Sequence, residues 1–152
     1  HGIDYSLSPD WLAQKIRNPH PDRVVWECRE KAGIYRKNFY WLSLAETPEE
    51  GRYEIDARLD RKTNSVTVTA IKVTPGANKD DPETRSPLAA DQLHVHLADD
   101  MLNLDKKVTV TINAREVFNG TVQRSRNNLR ESIWERGDPN FAFPVKLAFP
   151  KN

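Results

Sequence analysis

Val108-Thr-Val-Thr-Ile-Asn-Ala-Arg-Glu-Val-Phe-Asn-Gly120 is the most regular alternation of apolar and polar residues around a turn in this chain of 152 residues. Val108, Val110 and Ile112 alternate with Thr109, Thr111 and Asn113, which gives a strand one apolar and one polar face. Residues 113–116 read as a turn, and Val117, Phe118 and Val122 continue on the return. The unit is a β-hairpin, entered through the run at residues 97–107. Its apolar face needs a second layer, and most of the remaining chain consists of candidates for that layer.

Residues 23–31 set Val24, Trp26 and Cys28 on one side of a strand. Residues 37–44 set Tyr40, Leu42 and Leu44 opposite Phe39 and Trp41. Both faces of this second strand are apolar, so it is either central or presents Phe39 and Trp41 to a partner. Tyr53, Ile55, Ala57 and Leu59 alternate with Arg52, Glu54, Asp56 and Arg58, a strand with one wet face. Val66 and Val68 begin the next, but Ile71 and Val73 take the opposite parity, which predicts a bulge or a change of sheet near Ala70.

Residues 74–92 carry prolines, a glycine and a mixed-charge centre without periodicity, and read as a surface excursion. Leu93, Val95 and Leu97 restore alternation. Ser125 opens a helix with Leu129 and Ile133 on one face, and Gly137 before Asp138-Pro139 closes it. From residue 141 onward Phe141, Phe143, Val145, Leu147 and Phe149 share one face of a last strand, where Pro144 implies an edge or a bulge. Ser8-Pro9-Asp10 starts a helix of about ten residues with Trp11, Leu12 and Ile16. The expected fold is mainly β: an antiparallel immunoglobulin-like β-sandwich with a short N-terminal helix and one inserted helix. A partly closed barrel is the alternative. Residues 1–20 form an N-terminal segment and 21–152 the sandwich.

Among 152 residues, 23 lysines and arginines face 22 aspartates and glutamates, so no global field draws in nucleic acid or an acidic membrane surface. No apolar run reaches the length of a membrane span. One cysteine excludes an internal disulfide, and the alternation of Cys28 with Val24 and Trp26 predicts a buried thiol.

Candidate site residues are few. The rings of Tyr35, Phe39 and Trp41, with Tyr40 beside them, suit either a docking surface for another domain or a sugar-stacking platform. His94 and His96 share one strand face, a spacing that can offer two imidazoles to a metal, but on a polar face the ordinary state is solvated. No metal or other cofactor is therefore expected. Neither a Gly-x-Ser-x-Gly elbow nor a Gly-rich phosphate loop is present, and no catalytic residue is assigned within the domain.

Three segments together carry a resemblance: Phe39-Tyr-Trp-Leu42, then Leu97-Ala-Asp-Asp-Met-Leu-Asn-Leu-Asp-Lys-Lys-Val-Thr-Val-Thr-Ile-Asn113, then residues 131–139 followed by Phe141-Ala-Phe143. The chain resembles, from about Pro21 to Phe149, the C-terminal β-sandwich that follows the catalytic domain in a group of bacterial α/β-hydrolases, the predicted esterases and prolyl-oligopeptidase-like peptidases. It departs at two places. The family's hairpin turn reads Asn-Gly where this chain has Asn113-Ala114, so a turn of another type is expected here, since a left-handed alanine costs about 1 kcal/mol. The family's more polar Asn-Asp start is Ala98-Asp99 here.

The resemblance implies a non-catalytic accessory domain of a secreted or periplasmic hydrolase, with the catalytic domain of the same polypeptide as partner. It makes His1 a candidate triad histidine at the end of that preceding domain, because the triad order in such enzymes is Ser, acid, His. The competing expectation is an independent binding module for carbohydrate or another envelope component.

Overall fold

The computed structural model describes residues 18–29, 31, 33–78 and 80–151; His1 and the expected helix at residues 9–17 lie outside them. The described chain is mainly β, with ten strands and one α-helix. The strands are β1 (Arg23–Arg29), β2 (Asn38–Phe39), β3 (Leu42–Leu44), β4 (Arg52–Asp60), β5 (Ser65–Thr74), β6 (Thr84–Pro87), β7 (Leu93–Leu97), β8 (Val108–Ile112), β9 (Arg115–Gly120) and β10 (Val145–Ala148). The helix, α1, spans Arg126–Arg136. One sheet runs β1-β4-β5-β8-β9 with β6 also on β5, and the other runs β10-β7-β3-β2.

The two sheets close on one continuous core. β1 contributes Val24, Trp26 and Cys28, β4 contributes Tyr53, Ile55, Ala57 and Leu59, and β8 contributes Val108, Val110 and Ile112. From the opposing sheet come Leu42, Leu44, Leu93, Val95 and Leu97. The period-two pattern of each strand therefore sets which face is dry. Each fully buried Leu, Val or Ile contributes roughly 1.5–3 kcal/mol relative to exposure.

The β8–β9 hairpin is present and turns in two residues, with Ile112 opposite Arg115. Asn113 and Ala114 both have positive φ, +50° and +63°. That is the left-handed pair a two-residue hairpin favours, so the expectation of another turn type fails. The twist of the flanking strands outweighs the cost of a left-handed alanine. Val117 is the extra residue of a bulge, since the register shifts between Val110 and Thr111.

β5 carries no bulge against β4; nine residue pairs run in unbroken register from Arg52/Val73 to Asp60/Ser65. What changes near Ala70 is the partner on the other edge. Ser65–Val68 pair with β8 in parallel, whereas residues 71–74 pair with β6 antiparallel. The sheet is thus mixed rather than wholly antiparallel. Asn113 fills the gap between those partners: its side-chain oxygen accepts from Ala70 N–H at 2.8 Å and its amide donates to the carbonyls of Ala70 and Leu88 at 3.0 and 3.1 Å. A side chain here replaces a missing rung of backbone.

Three further expectations are corrected. Residues 74–92 contain β6 and a 3₁₀ turn at Ala90–Gln92. Residues 37–44 form two strands joined by a tight turn at Tyr40 and Trp41, with Phe39 opposite Leu42. Tyr40 carries a positive φ of 51°, which lets the chain reverse without glycine. Phe141 belongs to a 3₁₀ turn, Pro139–Phe141, and the last strand starts only after Pro144, on a sheet edge.

Helix α1 has the expected ends. Ser125 Oγ accepts from Asn128 N–H, and Gly137 closes the helix in the left-handed conformation. Its packing side is not the expected one. Ser132 is buried and the Arg136 side chain nearly so, whereas Leu129 is 38% exposed.

Candidate docking face and histidine layer

The outer face of the small sheet is polar and covered over Ser43 and His96, with His94 and Lys146 half-buried at its margin. Ser43, His94 and His96 alternate with the core residues of β3 and β7, so all three stand on the side away from the large sheet. His96 is buried, not solvated as its polar-face position suggested, and its Nε2 lies 2.7 Å from Ser43 Oγ; His94 Nδ1 lies 3.4 Å from the same hydroxyl. The cover is α1 with the segment after it. Phe143 N–H donates to Ser132 Oγ at 2.8 Å, and the Phe143 ring lies 5.5 Å from His96 and 5.1 Å from His20.

Arg136 completes this layer. Its Nε and Nη2 donate to the carbonyls of Tyr40 and Leu42 at 3.3 and 3.5 Å, and its guanidinium carbon sits 5.1 Å from the centre of the Phe143 ring. Burial, with Arg136, Lys146 and His94 nearby, pushes the His96 imidazole well below its ordinary value. Burial and Lys146 lower His94 as well, against a smaller opposing pull from Glu135. Both rings are thereby held neutral at pH 7. His20 Nδ1 meets Asp100 at 2.7 Å, so residues 18–21 are packed onto the sandwich through His20 and through Pro21, whose carbonyl accepts from Trp41 Nε1 at 2.9 Å. Among the described residues no group of three His, Cys, Asp or Glu side chains converges as a metal would require.

The second feature is a row of open depressions. A groove of about 500 Å³ is bounded by Val25–Arg29 on one side and by Lys31, Ile34, Arg36 and Phe39 on the other. A cleft of about 480 Å³ follows, between the β2–β3 turn and the end of α1, and shares Arg36 and Phe39 with the groove. A third depression, around Ile133 and Trp134, shares Glu135 with the second. The three join end to end around Phe39 and Glu135. They carry the three most exposed of the large apolar side chains on the described surface: Val25 at 62%, Ile34 at 66% and Trp134 at 89%.

The aromatic residues singled out from sequence divide across this arrangement. Phe39 is half-buried, stacks on Trp26 at 5.6 Å and meets Tyr40 edge-on at 5.0 Å, forming the ridge between groove and cleft. Tyr35 is also half-buried against the core. Trp41 is wholly buried and offers no ring face to a partner. Cys28 is buried as its alternation predicts, with the thiol pushed up to about 11 by burial.

No protein-family model, curated protein or solved structure matches this chain.

The residue that sequence reading passed over is Trp134. No apolar stripe on the helix marks it; once Ser132 and Arg136 take the packed side, an indole two residues from each points away from the sheet. A tryptophan 89% exposed on a capped helix presents a large apolar body with little side-chain entropy to lose on binding. Among the described residues no helix is long and apolar enough to cross a membrane.

Proposed function

We propose that this chain is a non-catalytic accessory domain that docks on the catalytic domain of the same polypeptide, a secreted or periplasmic hydrolase of esterase or peptidase type, through the face running from Phe39 to Trp134. In this reading the sandwich is of immunoglobulin-like type and the docked domain borders the route to the active site. The observation that carries the proposal is Trp134, 89% exposed beside a cleft lined by Phe39, Tyr40 and Phe141. With Val25 and Ile34 exposed along the adjoining groove, the indole extends an apolar surface of the kind that marks interaction sites. The sequence resemblance supplies the kind of neighbour.

The test is calorimetric titration of this chain with the separately produced upstream portion of its polypeptide. Saturable association that Trp134→Asp abolishes, while the variant melts like the parent, is the expected result. No association between the intact parts would sink the proposal. The rival occupant of the same indole is the apolar face of a sugar, and retardation on polysaccharide gels that depends on Trp134 would favour that reading instead.

A further inference from the structure

We infer that β1 is a self-pairing edge, through which two copies of this chain join into one continuous sheet. The inference rests on the backbone of β1 and on its side-chain order. Asp22 O accepts from Leu59 N–H at 2.7 Å, in register with the Arg23/Arg58 to Arg29/Arg52 pairs that follow. In an antiparallel pair hydrogen-bonded and non-hydrogen-bonded residues alternate. Residues 24, 26 and 28 therefore bond to β4, and the N–H and C=O groups of Arg23, Val25, Glu27 and Arg29 point away from it. No described strand lies on that side, because β1 ends the sheet order, and a groove of about 500 Å³ separates Val25–Arg29 from the facing wall of Lys31, Ile34, Arg36 and Phe39.

An exposed edge of this kind recruits another strand unless it is blocked. β1 contains neither proline nor bulge. Its outward face reads Arg23, Val25, Glu27, Arg29, and only three symmetric registers bring outward-pointing backbone groups together near its centre. Pairing Val25 with Glu27 sets Arg23 against Arg29. Pairing Glu27 with its own copy sets two carboxylates together. Pairing Val25 with Val25 of the second copy instead sets each Arg23 against a Glu27, joins the two 62%-exposed valines and places Val24 beside Trp26 on the inner face. Opposite-charge and apolar cross-strand pairs stabilise, and like charges directly opposite destabilise. The order of residues thus selects one register, in which Arg23 bridges Asp56 of its own chain, now 2.7 Å away, and Glu27 of the second copy.

Sedimentation velocity across a concentration series, combined with oxidative cross-linking of the full chain, tests the inference. The expected results are a concentration-dependent dimer and a disulfide-linked dimer from Val25→Cys but not from Glu27→Cys. The Cα separation of a hydrogen-bonded antiparallel pair, about 5.5 Å, suits a disulfide, and buried Cys28 stays out of the reaction. Glu27→Lys should weaken the dimer roughly ten-fold by placing like charges at both ends of the pairing. The double variant Arg23→Glu with Glu27→Arg should restore it. A chain that stays monomeric at hundreds of micromolar, a dimer indifferent to Glu27→Lys, or cross-linking at Glu27→Cys in place of Val25→Cys overturns the inference. None of these outcomes bears on docking through Trp134, which lies on α1.

Discussion

The two faces of β7 are built on opposite principles. Leu93, Val95 and Leu97 meet the large sheet in a dry core, whereas His94 and His96 face Ser43, Arg136 and the Phe143 ring beneath a helix. The first face is held by burial of apolar area, which is tolerant of direction. The second is held by hydrogen bonds and neutral imidazoles in a poorly solvated layer, where each missing partner is costly. At His96 a strand is thus sealed on both sides while showing the alternation of a half-exposed one, and at His94 the seal is partial.

Truncation should affect the two faces about equally at first. Leu97→Ala is expected to cost about 2–5 kcal/mol and Phe143→Ala about 3–5 kcal/mol in denaturant unfolding. A much smaller loss for Phe143→Ala would mean that the helix cover contributes little. Next comes Ser132→Ala, which strips the buried Phe143 N–H of its acceptor and should cost about 1–3 kcal/mol. If the loss stayed within about 0.5 kcal/mol, water would have to reach that amide.

Acid distinguishes the faces by sign. The folded imidazole of His96 is held below its unfolded value, so the unfolded chain binds the proton first. Its contribution to stability is fully present above about pH 6.5 and is lost as pH falls from there through the folded value. His94 adds a smaller effect of the same sign. Melting temperatures followed from pH 7 downward should decline, and His96→Gln should flatten the decline; an unchanged slope would remove His96 from the account. The smallest effect is expected away from both faces. Ala114→Gly relieves a left-handed alanine and should stabilise by up to about 1 kcal/mol, offset in part by the freer unfolded chain.

Much of the architecture was legible because alternation reports burial directly. β1, β4 and β8, the Ser125 and Gly137 caps and the central hairpin follow from residue order alone. Where the reading failed, a long-range partner had intervened. The turn at Tyr40 and Trp41 has no glycine to announce it, and its shape is fixed by pairing with β7, where His96 N–H donates to Trp41 O at 2.9 Å. The parity change in β5 marked an exchange of neighbours, and β6, whose four residues are all exposed, has no apolar pattern to betray it. At the candidate face, Phe39 was legible as an aromatic on a two-sided strand. Trp134 was not, because its helix packs through Ser132 and Arg136 in place of an apolar stripe.

Residue order was enough for β1, β4, β5, β7 and β8, for the direction of their dry faces and for the helix ends, since these depend on neighbours one to four residues apart. Only long-range packing settles that His96 is buried, that Trp41 is core while Trp134 is surface, and that β1 ends its sheet among the described strands. Each of those depends on what another part of the chain brings to the far side, and no local period records it.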